Sequence, residues 1–160
     1  MKKKIYFKIG FSKKIGSGHF YRSINLAKEL KSKGVSIYLI INNKINNNLL
    51  MKKKDLGVFK KIFFFKSNKK EESFLKKNVI KNLFLDDPQI NYKKQLILSK
   101  FVKNIILYQD EPKKNFANII INHNFIENIK SKYNELSNHN TKLLTGIEYF
   151  KVNFKRKNTI

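Results

Sequence analysis

The chain contains no cysteine, which excludes a disulfide framework, a thiolate metal site and a cysteine nucleophile. No apolar run approaches the roughly 18–20 residues that a membrane-spanning helix needs. The opening Met1-Lys2-Lys3-Lys4 resembles the basic start of a secretory signal, but Lys8, Lys13 and Lys14 interrupt the apolar stretch that should follow. The sequence therefore predicts no signal peptide, no membrane span and a cytoplasmic location. Arginine is scarce: Arg22 and Arg156 are the two, leaving 33 lysines among the 35 basic residues. Acids are scarce as well, 11 in all, and the formal net charge is +24.

A length of 160 residues suits one domain, and a hydrophobic fraction of 41% is enough for a core, so wholesale disorder is excluded. The charge by itself invites a nucleic-acid partner. However, Lys, Asn, Ile and Phe together make up 89 of the 160 residues, and these are the residues that AT-rich codons supply. The lysines lie in doublets and triplets along the whole chain instead of in one stripe. Specific nucleic-acid binding, which clusters base and favours the arginine fork, is not expected. Non-specific adhesion to polyanions at low salt is. His19, His123 and His139 are far apart, with no His-x-x-x-His spacing, so neither a metal nor another cofactor is expected.

Apolar runs alternate with amphipathic stretches. Residues 5–9 read as a first strand, 10–18 as a loop holding three of the six glycines, and 19–33 as a helix with Phe20, Ile24, Ala27 and Leu30 on one face. Gly34 stops that helix, and 35–41 is a strand apolar on both faces. A weak helix over 45–54, a strand over 58–65, a helix over 69–81 and a short strand over 83–85 follow. Then come a helix over 91–103 and strands at 104–108, 119–121 and 142–144. This order predicts an α/β, Rossmann-like three-layer domain with a mostly parallel sheet joined by right-handed crossovers. The domain is expected to span 1–153, followed by a basic tail, 154–160, that is either frayed or cut short. In such sheets ligands bind beyond the carboxyl ends of the strands. That singles out the loops at 10–18, 86–88, 110–112 and 122–124.

Ile15-Gly16-Ser17-Gly18-His19-Phe20-Tyr21-Arg22 is the most informative of them. It is not a P-loop, since no Gly-Lys-Ser/Thr follows, and Tyr21 stands where a dinucleotide fingerprint has its third glycine. Gly16 and Gly18 let backbone pass close to a ligand, and His19 falls at a helix start, where exposed amides favour anions and a neutral imidazole. A neutral imidazole facing a cleft suits a general base. Arg22 lies one turn on, on the same side. The plainer alternatives are a tight turn, a His19 that only caps its helix, and an Arg22 that pairs with Glu29 or Asp86. Elsewhere, Asp86 and Asp87 either cap the helix after Pro88 or contact substrate, and Asp110-Glu111-Pro112 is either a turn or, from its strand-end position, part of the site. Asn122, His123 and Asn124 either hydrogen-bond a ligand or shape a loop, Tyr149 could be a core anchor, and His139 is expected to be inert.

The glycine-rich stretch resembles the Gly-x-Gly-His-x-x-Arg motif of the nucleotide-sugar hydrolases of the pseudaminic acid pathway and the related spore-coat polysaccharide proteins, which are similar to GT-B glycosyltransferases. Residues 23–30 and 34–37 continue the likeness. Leu85-Asp86-Asp87, Ile105 to Glu111, Ile121 to Asn124 and Leu143 to Tyr149 resemble later segments in order. Departures are Gly10 where the family usually has Asp, His123 for Gln, Ile147 for Pro and Asn153 for Arg.

The resemblance implies an inverting hydrolase that releases UDP from a UDP-linked diacetamido-trideoxy sugar. It makes His19 the base and Gly16, Gly18, Arg22, Asp86, Asn124 and Tyr149 substrate contacts, with no metal. It covers only the amino-terminal half of the family, so a nucleotide-gripping second domain is expected on a separate chain or lost, and the chain alone is expected to be weak or inactive. A GT-B-type glycosyltransferase acceptor domain, and a non-catalytic remnant or basic binding protein, are the competing expectations.

Overall fold

The computed structural model describes residues 3–10, 18–42, 53–137, 140–146 and 149. Within them, strands β1 (Lys4–Ile9), β2 (Ser36–Asn42), β3 (Lys61–Phe65), β4 (Ile80–Asp86), β5 (Val102–Tyr108), β6 (Ile119–Asn122) and β7 (Lys142–Thr145) form one sheet in the order β3-β2-β1-β4-β5-β6-β7. Every neighbouring pair is parallel. Parallel neighbours need crossovers, and helices lie in five of the six, α1 (Gly18–Ser32), α2 (Lys53–Leu56), α3 (Asn68–Asn78), α4 (Tyr92–Ser99) and α5 (Ile129–Leu136), while residues 109–118 join β5 to β6 without one. The chain is an α/β, Rossmann-like three-layer domain.

Side-chain alternation along each strand divides the core into two. Ile5, Phe7 and Ile9 of β1 and Phe84 of β4 point to the side covered by Phe20, Ile24 and Ala27 of α1. Leu83, Leu85, Ile105 and Leu107 point to the side covered by Leu75 of α3, Leu98 of α4 and Tyr133 of α5. Each such Leu or Ile, taken fully out of water, stabilises the fold by about 1.5–3 kcal/mol. Lys8 interrupts the second side. It is only 6% exposed, and its ammonium sits 2.8 Å from both carboxylate oxygens of Glu71 in the first turn of α3. A charge so deeply buried persists because it is paired.

Several predicted bounds shift for local reasons. The helix predicted to reach residue 81 ends at Asn78 because Val79 adopts a left-handed conformation (φ 44°), which releases Ile80 to begin a longer β4 than the predicted 83–85. The helix predicted over 91–103 stops at Ser99, and β5 starts at Val102. Helix α5 was not predicted at all: Asn and Lys dilute its apolar face to Ile129, Tyr133 and Leu136. Most of the predicted 45–54 helix and the 154–160 tail lie outside the described residues.

The strand order places β1 and β4 side by side, with α1 leaving one face and α4 the other. Their carboxyl ends therefore flank a topological switch point, where open α/β sheets hold ligands. The link between β1 and β4 runs one residue past the strands, with the Gly10 amide donating to the Asp86 carbonyl at 2.8 Å.

Candidate functional site

Beyond that edge the first turn of α1 meets the ends of β4 and β5. Arg22 is 8% exposed and Asp86 fully buried. The Arg22 Nε donates to Asp86 Oδ2 at 2.8 Å and its Nη2 to Oδ1 at 2.5 Å, the two-pronged geometry that lysine cannot reproduce. Its Nη1 donates to Asp110, and the guanidinium lies 4.1 Å over the Tyr108 ring. The Ser23 hydroxyl adds a further bond to Asp86 Oδ2 at 2.8 Å. Of the two pairings the sequence left open for Arg22, Asp86 is the one found.

His19 completes the cluster. Its Nδ1 lies 2.7 Å from Asp86 Oδ1 and 2.8 Å from Arg22 Nη2. We assign the ring proton to Nδ1, which donates it to the Asp86 carboxylate; Arg22 Nη2, itself a donor, then lies beside Nδ1 without bonding to it and donates to Asp86 Oδ1. Nε2 then keeps its lone pair, and its nearest acid is Asp110, at 3.9 Å. A buried carboxylate that fixes one imidazole nitrogen and leaves the other basic is the arrangement a general base requires.

The electrostatics follow. Burial would raise the Asp86 carboxyl, but the hydrogen bonds from Arg22 and His19 and the Arg22 charge outweigh it and hold the group below the ordinary carboxylate range. The same ion pairs overcome the burial of Arg22 and raise it further. Burial pushes the Tyr108 phenol up to about 12, and its hydroxyl donates to the Tyr149 carbonyl at 2.8 Å.

Asp87, next in sequence, has the opposite environment. Burial raises its carboxyl, and the Gln89 amide and the charges of Lys8 and His19 offset this only in part. Its Oδ1 accepts from the Gln89 amide at 2.9 Å. The prediction that Asp86 or Asp87 caps the next helix is corrected: Asn91 caps α4, accepting from the Lys94 amide at 3.0 Å. Asp87 also explains Gly10. A Cβ there would fall 2.6 Å from Asp87 Oδ1 and 2.9 Å from its Cα, so the Asp87 side chain fills the space that any side chain at position 10 would need.

Asp87 and His19 line a cleft of about 550 Å³ with Ile90, Tyr92, Gln109 and Asp110; Lys113 and Lys114 also border it. Four of the chain's 11 acids, Asp86, Asp87, Asp110 and Glu111, are gathered at this edge of a strongly basic protein. Of the other predicted contacts, Asn124 ties the β6 loop to the β5 loop, its Nδ2 donating to the Asp110 carbonyl at 2.7 Å. Tyr149 enters through its backbone, Gly18 opens α1 with nothing among the described residues within 4 Å of where a Cβ would stand, and Gly16 lies outside the described residues, as do Ile147, Asn153 and His139. The His123 ring lies 5.5 Å from the Tyr108 ring and is tilted 55° to it, and burial lowers its imidazole. Among the described residues no group of His, Asp and Glu could hold a metal ion, and no helix is long and apolar enough to cross a membrane.

No protein-family model matches this chain, and no curated protein matches it.

Sequence reasoning did not single out Ser23, Tyr108 or Gln109. Ser23 follows Arg22 directly. Tyr108 and Gln109 sit at and just after the end of β5, where extending the register of the strands would have pointed to them.

Proposed function

We propose that the chain is the base-bearing domain of an inverting nucleotide-sugar hydrolase, releasing UDP from a UDP-linked diacetamido-trideoxy sugar. The observation that carries this reading is the 2.7 Å contact between His19 Nδ1 and a fully buried Asp86, at the rim of a cleft at the sheet's carboxyl edge. The order of motifs shared with the hydrolases of the pseudaminic acid pathway supports the choice of substrate. So does Asp87, which brings a carboxylate to the place beside Gly10 where that family usually carries its own.

His19 Nε2 takes a proton from a water molecule as the water oxygen bonds to the anomeric carbon. The bond from that carbon to the UDP oxygen breaks on the opposite face, and UDP leaves as a stabilised anion that needs little acid help. Asp86 stabilises the imidazolium that forms and keeps the ring in its working orientation, and Arg22 in turn fixes Asp86. Asp86 and Arg22 are thus positioning residues in this mechanism.

The test is UDP release from the nucleotide sugar at high protein concentration. His19→Ala should lower the rate by about 10²–10⁴-fold, the usual contribution of a general base. Turnover that survives His19→Ala overturns the reading, and release that requires an added sugar acceptor marks a transferase instead.

A further inference from the structure

The two carboxylate oxygens of Asp110, just beyond the end of β5, have different surroundings. Oδ1 accepts from Arg22 Nη1, and His123 Nδ1 approaches it to 3.9 Å. The backbone carbonyl of the same residue accepts from Asn124 Nδ2 at 2.7 Å. Asp110 is thus tied to α1 on one side and to the loop after β6 on the other. Oδ2 meets no donor within hydrogen-bond distance among the described residues. It lies 3.9 Å from His19 Nε2, the nitrogen that carries the lone pair. The Asp110 and His19 side chains keep 37% and 19% of their surfaces exposed, and both border the cleft.

A gap of 3.9 Å is too long for a hydrogen bond and suits a bridge. A water oxygen about 2.8 Å from each of the two atoms makes an angle of about 90° between them. That is slightly narrower than the angle between the two O–H bonds of water, so one water donates to both acceptors with little bending. His19 alone would fix one hydrogen and leave the molecule free to turn about that bond. With both hydrogens engaged, the lone pairs point away from the two acceptors, the direction from which an anomeric carbon must approach.

We propose that Asp110 is a second catalytic residue, its Oδ2 holding the other hydrogen of the water that His19 deprotonates. The inference rests on the hydrolase reading and adds how the nucleophile is aimed. One water proton passes to His19 Nε2. The oxygen's electron pair forms the bond to the anomeric carbon, and the bond to the UDP oxygen breaks with its electrons leaving on UDP. The second hydrogen stays on the new sugar hydroxyl, hydrogen-bonded to Asp110, which gains no proton.

Asp110→Asn tests this, because Arg22 sorts the amide. The guanidinium needs an oxygen at the Oδ1 position, so the NH2 group takes the place of Oδ2 and sets a donor where the water needs an acceptor. In the full chain, assayed for UDP release, Asp110→Asn should lower kcat by about 10²-fold, the cost of a misplaced reactant, and leave KM unchanged. An unchanged kcat, or a fall matched by loss of folded protein, overturns the inference. A crystal structure of the wild-type chain that shows ordered water gives a readout without turnover. It should place one water within about 3.2 Å of both His19 Nε2 and Asp110 Oδ2. The absence of that water overturns the inference whether or not the variant folds. UDP release that survives His19→Ala, or no release by the wild-type chain, defeats the hydrolase reading alone, and the crystal then decides whether the pair holds water.

Discussion

Asp86 and Asp87 are neighbours in sequence and differ in nearly everything else. Asp86 points to the α1 side, is fully buried, and is gripped by Arg22, Ser23 and His19. Asp87 points to the α4 side, borders the cleft, and is held by one backbone amide. Their carboxyl groups are shifted in opposite directions. One peptide step across a strand end thus separates a buried cluster, where the carboxylate is held by a guanidinium, a hydroxyl and an imidazole, from a cleft rim, where the carboxylate is held by one backbone amide.

The sharpest way to break the comparison is to remove its buried member. Asp86→Ala leaves Arg22 buried beside one partly exposed partner, and we expect a loss of about 3–5 kcal/mol in urea unfolding. The equivalent change at Asp87 should cost far less. Gly10→Ala attacks the other side by forcing a methyl against Asp87, and overpacking of this kind costs about 1–3 kcal/mol. Adding Asp87→Ala should recover only part of that, since the Asp87 Cα also crowds the position, and a double-mutant cycle measures the split.

Acid titration distinguishes the pair by sign. The Asp86 carboxyl is lower in the folded than in the unfolded chain. Its contribution is therefore complete above the ordinary carboxylate value of about 3.9 and is lost as pH falls through the folded value. Asp86→Asn should remove that acid limb. The Asp87 carboxyl is higher in the folded chain, so it costs stability increasingly as pH rises from the ordinary value of about 3.9 through its folded value. Asp87→Asn keeps the acceptor for the Gln89 amide and should raise the melting temperature slightly at pH 7, with the gain vanishing below about pH 4. A loss of stability at pH 7 would contradict the environment described for Asp87.

How much of this was legible beforehand differs between the two sides. The α/β order, the carboxyl-edge loops and the pairing of His19 with Arg22 one turn on follow from local periodicity, which sequence displays directly. The Asp86–Arg22 pair was one of two options, and proximity along the chain gave no reason to prefer it to Glu29. The cleft side was less legible. Asp87 read as a helix cap because it precedes Pro88, whereas Asn91 does the capping. Gln109 carries no motif, and its place depends on the pairing of β5 with β4 and β6. Helix α5 escaped because Asn and Lys obscure a face whose one fully buried aromatic, Tyr133, is fixed by a hydrogen bond to β6.

The Arg22 staple has a kinetic consequence. It joins residues separated by 64 and 88 positions along the chain, so it can close only after β1, β4 and β5 have aligned and the entropy of those long loops has been lost. The cluster is therefore among the last parts of the molecule to assemble, and substitutions in it should speed unfolding more than they slow folding. Any ligand that needs the finished cluster will bind the folded chain alone. It will stabilise that chain in proportion to the logarithm of its concentration, so a thermal-shift screen of nucleotide sugars would report on the site even if no turnover is seen.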